Sequence, residues 1–285
     1  MSDMTEQSVV EQSLRQNVAA AENRKQPGFS NKIPAIARNA FREAVRDRVL
    51  YNLVLFVLLL TGAAVFLGEL TAGNESRTIV NLGLSAMLVF GAFISIFVGV
   101  GLVSKEIEKR TVFAIFAKPV GRGEFLVGKY LGLCLTLLVN VLVMGIGITL
   151  ALAYVGGGSL AFTIWAAVYL IFLELTILTA VTLLFSSFSS PALSALLTFF
   201  VFLIGHFSTS LRDFAENLGS PAAKAFFNFL YYFLPNLAHF SFITAAANGK
   251  MPTTNQMLGA TAYALVYVTI LLAASVLIFS RRNFK

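Results

Sequence analysis

Six apolar runs, each about long enough to cross a bilayer, constrain this chain more than any other feature. They are Val49–Leu70, Ile79–Val103, Phe125–Val155, Phe162–Ser186, Ala192–Leu211 and Met257–Phe279. About 20 apolar residues in a helix cross a hydrocarbon core of roughly 30 Å. Backbone amides and carbonyls find no partner in lipid, so a spanning segment must satisfy them as a helix or within a closed barrel. The alternation that a barrel strand needs is absent from these runs. The expected fold is therefore all-α and polytopic, with six transmembrane helices. With 57% hydrophobic and 12% charged residues and a mean hydropathy of +0.80, the chain is too apolar for an ordinary soluble domain. The third run is too long for an upright span and is expected to tilt or to begin inside the cytoplasm.

Charge sets the orientation. All but four of the 21 Lys and Arg residues fall on one side of the pattern. Arg15, Arg24, Lys25, Lys32, Arg38, Arg42, Arg46 and Arg48 precede the first run. Lys105, Lys109, Arg110, Lys118, Arg122 and Lys129 lie around the second connection, and Arg281, Arg282 and Lys285 close the chain. Arg77, Arg212, Lys224 and Lys250 are the exceptions. The positive-inside rule then puts both termini and the second connection in the cytoplasm. A net charge of +7 reads as this topology signal plus attraction to anionic membrane lipid, with no nucleic-acid partner.

Residues 1–32 form a polar stretch with no apolar core, so they are expected to be a disordered tail and not a cleavable signal peptide. Residues 33–285 read as one membrane domain. Its first element is a charged amphipathic helix. Ala37, Phe41, Val45 and Val49 recur every four residues, as do Arg38, Arg42 and Arg46. This pattern fits an elbow helix lying in the cytoplasmic leaflet, or a solvated juxtamembrane helix. Towards the other end, residues 212–256 contain two short apolar stretches. Ala225–Leu234 is densely aromatic and stopped by Pro235; Leu237–Ala247 ends at Asn248-Gly249. They are too short to cross and serve either as re-entrant or interfacial helices capping the outer mouth, or as a lipid-facing anchor.

Ser104–Gly128 is the most informative connection. Glu106, Glu108, Lys109 and Arg110 lead into Val112, Phe113, Ile115 and Phe116, and Lys118-Pro119 ends the stretch. A charged end followed by four large apolar residues makes an amphipathic helix that needs a receiving groove on a neighbour or a lipid surface. Just beyond it, Gly123…Gly128-Lys129 approaches a phosphate-binding loop. It fails at Tyr130, where a small hydroxyl should hold magnesium, and it lacks the preceding strand. Gly128 and Gly132 instead make a small-xxx-small pair suited to close helix packing.

These features together resemble the permease subunit of ABC-2 type ATP-driven transporters. The resemblance covers about Ile36 to Lys285. It rests on the elbow, the six runs, the E-x-E-[KR]-R-T…K-P-V-x-R-x-E-F…G-K pattern from Glu106, and Leu234-Pro235-Asn236-Leu237 in the last outer connection. The ending Ile278–Lys285 is similar to members associated with copper-enzyme maturation and gliding. The resemblance implies an exporter subunit with no catalytic residues, cofactor or metal of its own, ATP and Mg being held by a separate cytoplasmic ATPase subunit. A second permease copy or a homologous permease would complete the membrane part, in a bacterial inner membrane. Glu106, Glu108, Lys109, Arg110, Thr111, Phe113 and Phe116 fall at the positions that couple to the ATPase. Many members carry a glycine before the threonine, where this chain has Arg110.

Glu174 is the one acidic residue deep in a run. A charge at a helix centre costs about 2.5–3.5 kcal/mol on insertion scales, so Glu174 should face another helix or a watery cavity. It serves as structural hydrogen-bonding glue, as part of a transport path or as a proton relay. His206 and His239, even with Cys134, make no recognisable metal set and read as structural. Two other readings stay open at this point: a self-sufficient secondary transporter or channel, and a non-transporting membrane anchor of an assembly.

Overall fold

A computed structural model describes residues 29–45, 74–102, 121–208 and 221–281, together with positions 55, 56, 59, 62, 63 and 66. Among these all the regular secondary structure is helical. We number the α-helices α1 (Phe29–Ala44), α2 (Glu75–Phe93), α3 (Arg122–Tyr154), α4 (Ala161–Ser186), α5 (Pro191–His206), α6 (Pro221–Phe233), α7 (Ile243–Ala247) and α8 (Thr254–Arg281). Helix α2 continues through a π-helical stretch, Ile94–Val98, to Leu102. Four helices are long and apolar enough to cross a membrane: Glu75–Leu102, Gly123–Tyr154, Gly158–Ser186 and Thr254–Arg281. They correspond to the second, third, fourth and sixth apolar runs. The first run lies mostly outside the described residues, although its Phe56 is buried against Phe90, edge to face at 6.1 Å.

Of the fifth run, Ala192–Leu211, the described part is α5, helical for 16 residues, about 24 Å at 1.5 Å per residue, while 209–211 lie outside the described residues. Pro191 starts it, where a missing amide costs nothing. Its end is met by the chain segment that follows α6.

Helix α4 is the hub, touching α2, α3, α5, α7 and α8. Its apolar residues point in every direction, which is why it lacks a polar face and is buried almost all round. Ile171, Leu175 and Leu178 join the core formed with α2 and α3. Leu170, Leu173 and Ile177 meet α5, α8 and the segment containing Leu237 and Phe240. Leu183 completes a third cluster with Phe125, Leu126 and Phe279 at the ends of α3 and α8. Large side chains left outside, such as Phe97, Leu150 and Leu265, are what lipid would cover.

Helix α1 packs on the start of α3, and glycine makes the approach possible. A Cβ at Gly132 would sit 2.6 Å from the Ala37 carbonyl oxygen and from Ala40 Cβ; one at Gly128 would meet Ile36 at 2.6 Å. The close packing expected of this small-xxx-small pair is therefore present, with α1 as its partner. The buried face of α1 is rotated from the expected Ala37–Phe41–Val45 stripe. Ala40 and Ala44 are deepest, Ala37, Phe41 and Val45 are half-buried, and Arg38 and Arg42 are exposed. Small alanines win because the glycines opposite admit backbone contact.

The stretch resembling a phosphate loop lies in the first turns of α3. Glu124 Oε2 accepts from the Gly121 amide at 2.8 Å, capping the helix. Lys129, fully buried, reaches Glu43 Oε2 of α1 at 3.1 Å.

Candidate functional site: a polar point in the middle of the helix packing

Most buried hydroxyls in the bundle are satisfied locally. Thr179, Thr182 and Ser186 on α4 and Thr198 on α5 donate to carbonyls four residues back, at 2.8–2.9 Å. The Ser95 and Thr179 hydroxyls also bond each other at 3.0 Å, joining α2 to α4. Against this background the exceptions are few. Among the described residues, the buried side-chain atoms without a hydrogen bond are Asn140 Oδ1, Glu174 Oε1 and both ring nitrogens of His206.

Three of these four atoms belong to one contact. Glu174 lies near the centre of α4, roughly 20 Å from one end and 18 Å from the other, and only 1% of its side chain is exposed. His206 Nδ1 stands 3.4 Å from Glu174 Oε1. The Phe202 ring, one turn earlier, lies against the imidazole with ring centroids 4.8 Å apart. Neither ring nitrogen reaches hydrogen-bond geometry. The carboxyl and imidazole are thus adjacent and charge-complementary, with hydrogen-bonding capacity left over.

The surrounding backbone is interrupted at the same depth. The Tyr267 hydroxyl donates to the Phe233 carbonyl at 2.9 Å, so α6 ends beside the middle of α8. After Phe233 the chain turns through Leu234-Pro235-Asn236-Leu237. The Asn236 amide donates to Tyr263 Oη at 2.9 Å, and the Ser208 hydroxyl donates to Asn236 Oδ1 at 2.6 Å. Leu237 and the Pro235 carbonyl close on Gly205, where a Cβ would come within 2.7 and 2.8 Å of them. A short 3-10 turn, Leu237–Phe240, then leads back to α7, whose Ala246 carbonyl accepts from Thr163 near the start of α4. The second aromatic-region stretch is therefore two pieces, stopped at Gly249 with φ +72° as its sequence predicts. Residues 234–241 form a turn that re-enters the helix packing, with Leu237 and Phe240 buried, whereas Phe226, Phe229 and Tyr232 of α6 are exposed. Irregular backbone at this depth is tolerable because protein surrounds it and side chains take up its polar groups.

Glu174 faces a residue of the neighbouring helix α5, one of the two surroundings, helix or watery cavity, that its sequence position allows. Sequence reasoning separated His206 from it and gave the histidine a structural role. A signal existed: counted from the turn between α4 and α5, Glu174 lies about 18 Å along one helix and His206 about 23 Å along the other. Of the elbow residues, Arg38, Phe41, Arg42 and Val45 are on α1 as described above, while Arg46 lies outside the described residues. The same holds for Glu106, Glu108, Lys109, Arg110, Thr111, Phe113 and Phe116.

Comparison with curated proteins finds no match. Residues 34–284, nearly the whole chain, match the family model described as "ABC-2 family transporter protein". That match covers the first helix, the four long apolar helices and the re-entrant turn alike. The chain belongs to the ABC-2 family of transporter proteins and is a multi-pass membrane permease.

Proposed function

We propose that this permease is the membrane subunit of an exporter powered by a separate cytoplasmic ATPase subunit, which holds the ATP and Mg. Two copies, or one copy and a homologous permease, form the membrane part, with all termini in the cytoplasm of a bacterial inner membrane. The basic loop after α2 is the ATPase-docking element: Glu106, Glu108, Lys109, Arg110 and Thr111 meet the partner's polar rim, and Phe113 and Phe116 enter its groove. The elbow residues Arg38, Arg42 and Arg46 lie at the anionic leaflet surface. The resemblance of the last residues to members associated with copper-enzyme maturation and gliding directs the search for cargo to neighbouring coding regions.

One observation supports the lever above all. Helix α3 begins at Arg122, directly after the loop, and its first three turns are clamped to α1 by Gly128, Gly132 and the Glu43–Lys129 ion pair. A push on the loop is delivered to a packed helix pair, not dissipated in a single free helix end. The test is a reconstituted complex carrying Glu106→Ala with Phe113→Ala. We expect the ATPase subunit to dissociate or its activity to lose its dependence on the permease. Unchanged assembly together with unchanged coupling would refute the lever.

A further inference from the structure

The unfulfilled contact between α4 and α5 has a definite electrostatic character. Away from the helix ends, Glu174 is the one Asp, Glu, Lys or Arg among the described residues of α2, α4, α5 and α8 and in the turn from Leu234 to Ala247. Arg77 and Glu75 sit at the start of α2, and Arg281 at the end of α8. His206 occupies the last turn of α5, where the helix presents its partial negative charge. A carboxyl and a helix C-terminus together favour a positive group, and the one basic side chain within reach is a single imidazole.

The orphaned atoms narrow the ligand further. Glu174 Oε1 is an acceptor, and an imidazole whose Nδ1 faces that oxygen presents its remaining nitrogen as a second acceptor. A metal ion would need four or more donors, and the contact offers two side chains. An anion would be repelled. A neutral hydroxyl could fill a hydrogen bond but would gain little from the negative end of α5. An ammonium group has three N–H donors and a unit positive charge, and the Phe202 ring beside the imidazole can stabilise such a cation through its face.

Access sets the rest of the molecule. About a quarter of the His206 side chain is exposed, through its ring carbons since both nitrogens are buried, and Phe199 and Phe200 of α5 and Phe207 just after it are exposed. A ligand arriving there passes over aromatic surface before it meets a polar atom. We propose that Glu174 and His206 bind the protonated amine of an amphiphilic transport substrate, whose apolar part lies along the exposed phenylalanines of α5. This assignment rests on the transport reading given above; it names the substrate class for it.

The test uses the full chain in lipid nanodiscs without any ATPase subunit, titrated with dansylcadaverine, a fluorescent amphiphilic amine, against empty nanodiscs. Wild type should bind it saturably, and the N-acetylated, uncharged derivative at least tenfold more weakly. Glu174→Gln should weaken amine binding at least tenfold and leave the acetylated probe unaffected. His206→Gln should weaken the amine at least threefold, and it serves alone if Glu174→Gln does not insert. Absence of saturable amine binding, equal binding of the two probes, or amine binding within twofold of wild type in the variants would overturn the proposal. Amine binding without ATPase docking would instead sink the motor reading and spare the site. ATPase docking without amine binding would do the reverse.

Discussion

The joint between α1 and α3 and the joint where the turn after α6 meets α5 are both built on glycine, yet the polar groups beside them are treated in opposite ways. At the first, Gly128 and Gly132 let the helices touch, and the buried Lys129 is matched by Glu43. At the second, Gly205 lets the re-entrant turn touch α5, but a carboxyl oxygen and two imidazole nitrogens stay without hydrogen bonds. Close packing by itself therefore does not explain the second. Leaving buried polar atoms unmatched costs about 1–3 kcal/mol each, a cost that structure gains nothing by carrying. The first joint has the chemistry of a fixed mount, and the second has that of a site.

The comparison is tested most severely at Gly132. Gly132→Leu forces a side chain into the Ala37 carbonyl and Ala40, and should cost about 3 kcal/mol, read as a lowered unfolding midpoint in detergent. A tolerated leucine would mean that the mount is not close-packed. Tyr263→Phe removes the acceptor of the Asn236 amide and should destabilise by about 1 kcal/mol, with unfolding of the re-entrant turn detected by faster hydrogen exchange at residues 234–241. No change there would weaken the claim that side chains hold the turn in place. The smallest effect is expected at the site. Replacing both Glu174 and His206 by Leu should leave stability unchanged or raise it by about 1 kcal/mol. A fall of more than about 2 kcal/mol in the same unfolding measurement would show the pair to be structural glue and erase the contrast.

Much of the architecture was readable from local chemistry. Long apolar runs marked α2, α3, α4 and α8 because helix length and hydrocarbon thickness are set by fixed dimensions. Gly128 and Gly132 announced a close neighbour, and Pro235 and Gly249 marked real stops. What stayed hidden depended on partners distant in sequence. Which face of α1 is buried is decided by glycines about 90 residues later, so the larger Phe41 and Val45 misled. That Leu237 and Asn236 close on Gly205 and Ser208 at the end of α5 could not be read from the run itself. Glu174 stood out as a lone charge, but its neighbour became visible only once two antiparallel helices were set side by side.

The way α5 is met at its end has a mechanical consequence. Against Gly205 and Ser208 lies the turn from Leu234 to Ser241, wedged in place by Leu237, Asn236 and Tyr263. A stopper fills that place, where α4 and α8 are unbroken rods. A stopper can be drawn without unwinding a helix, so these eight residues are the part of the described bundle whose movement costs no helical hydrogen bonds.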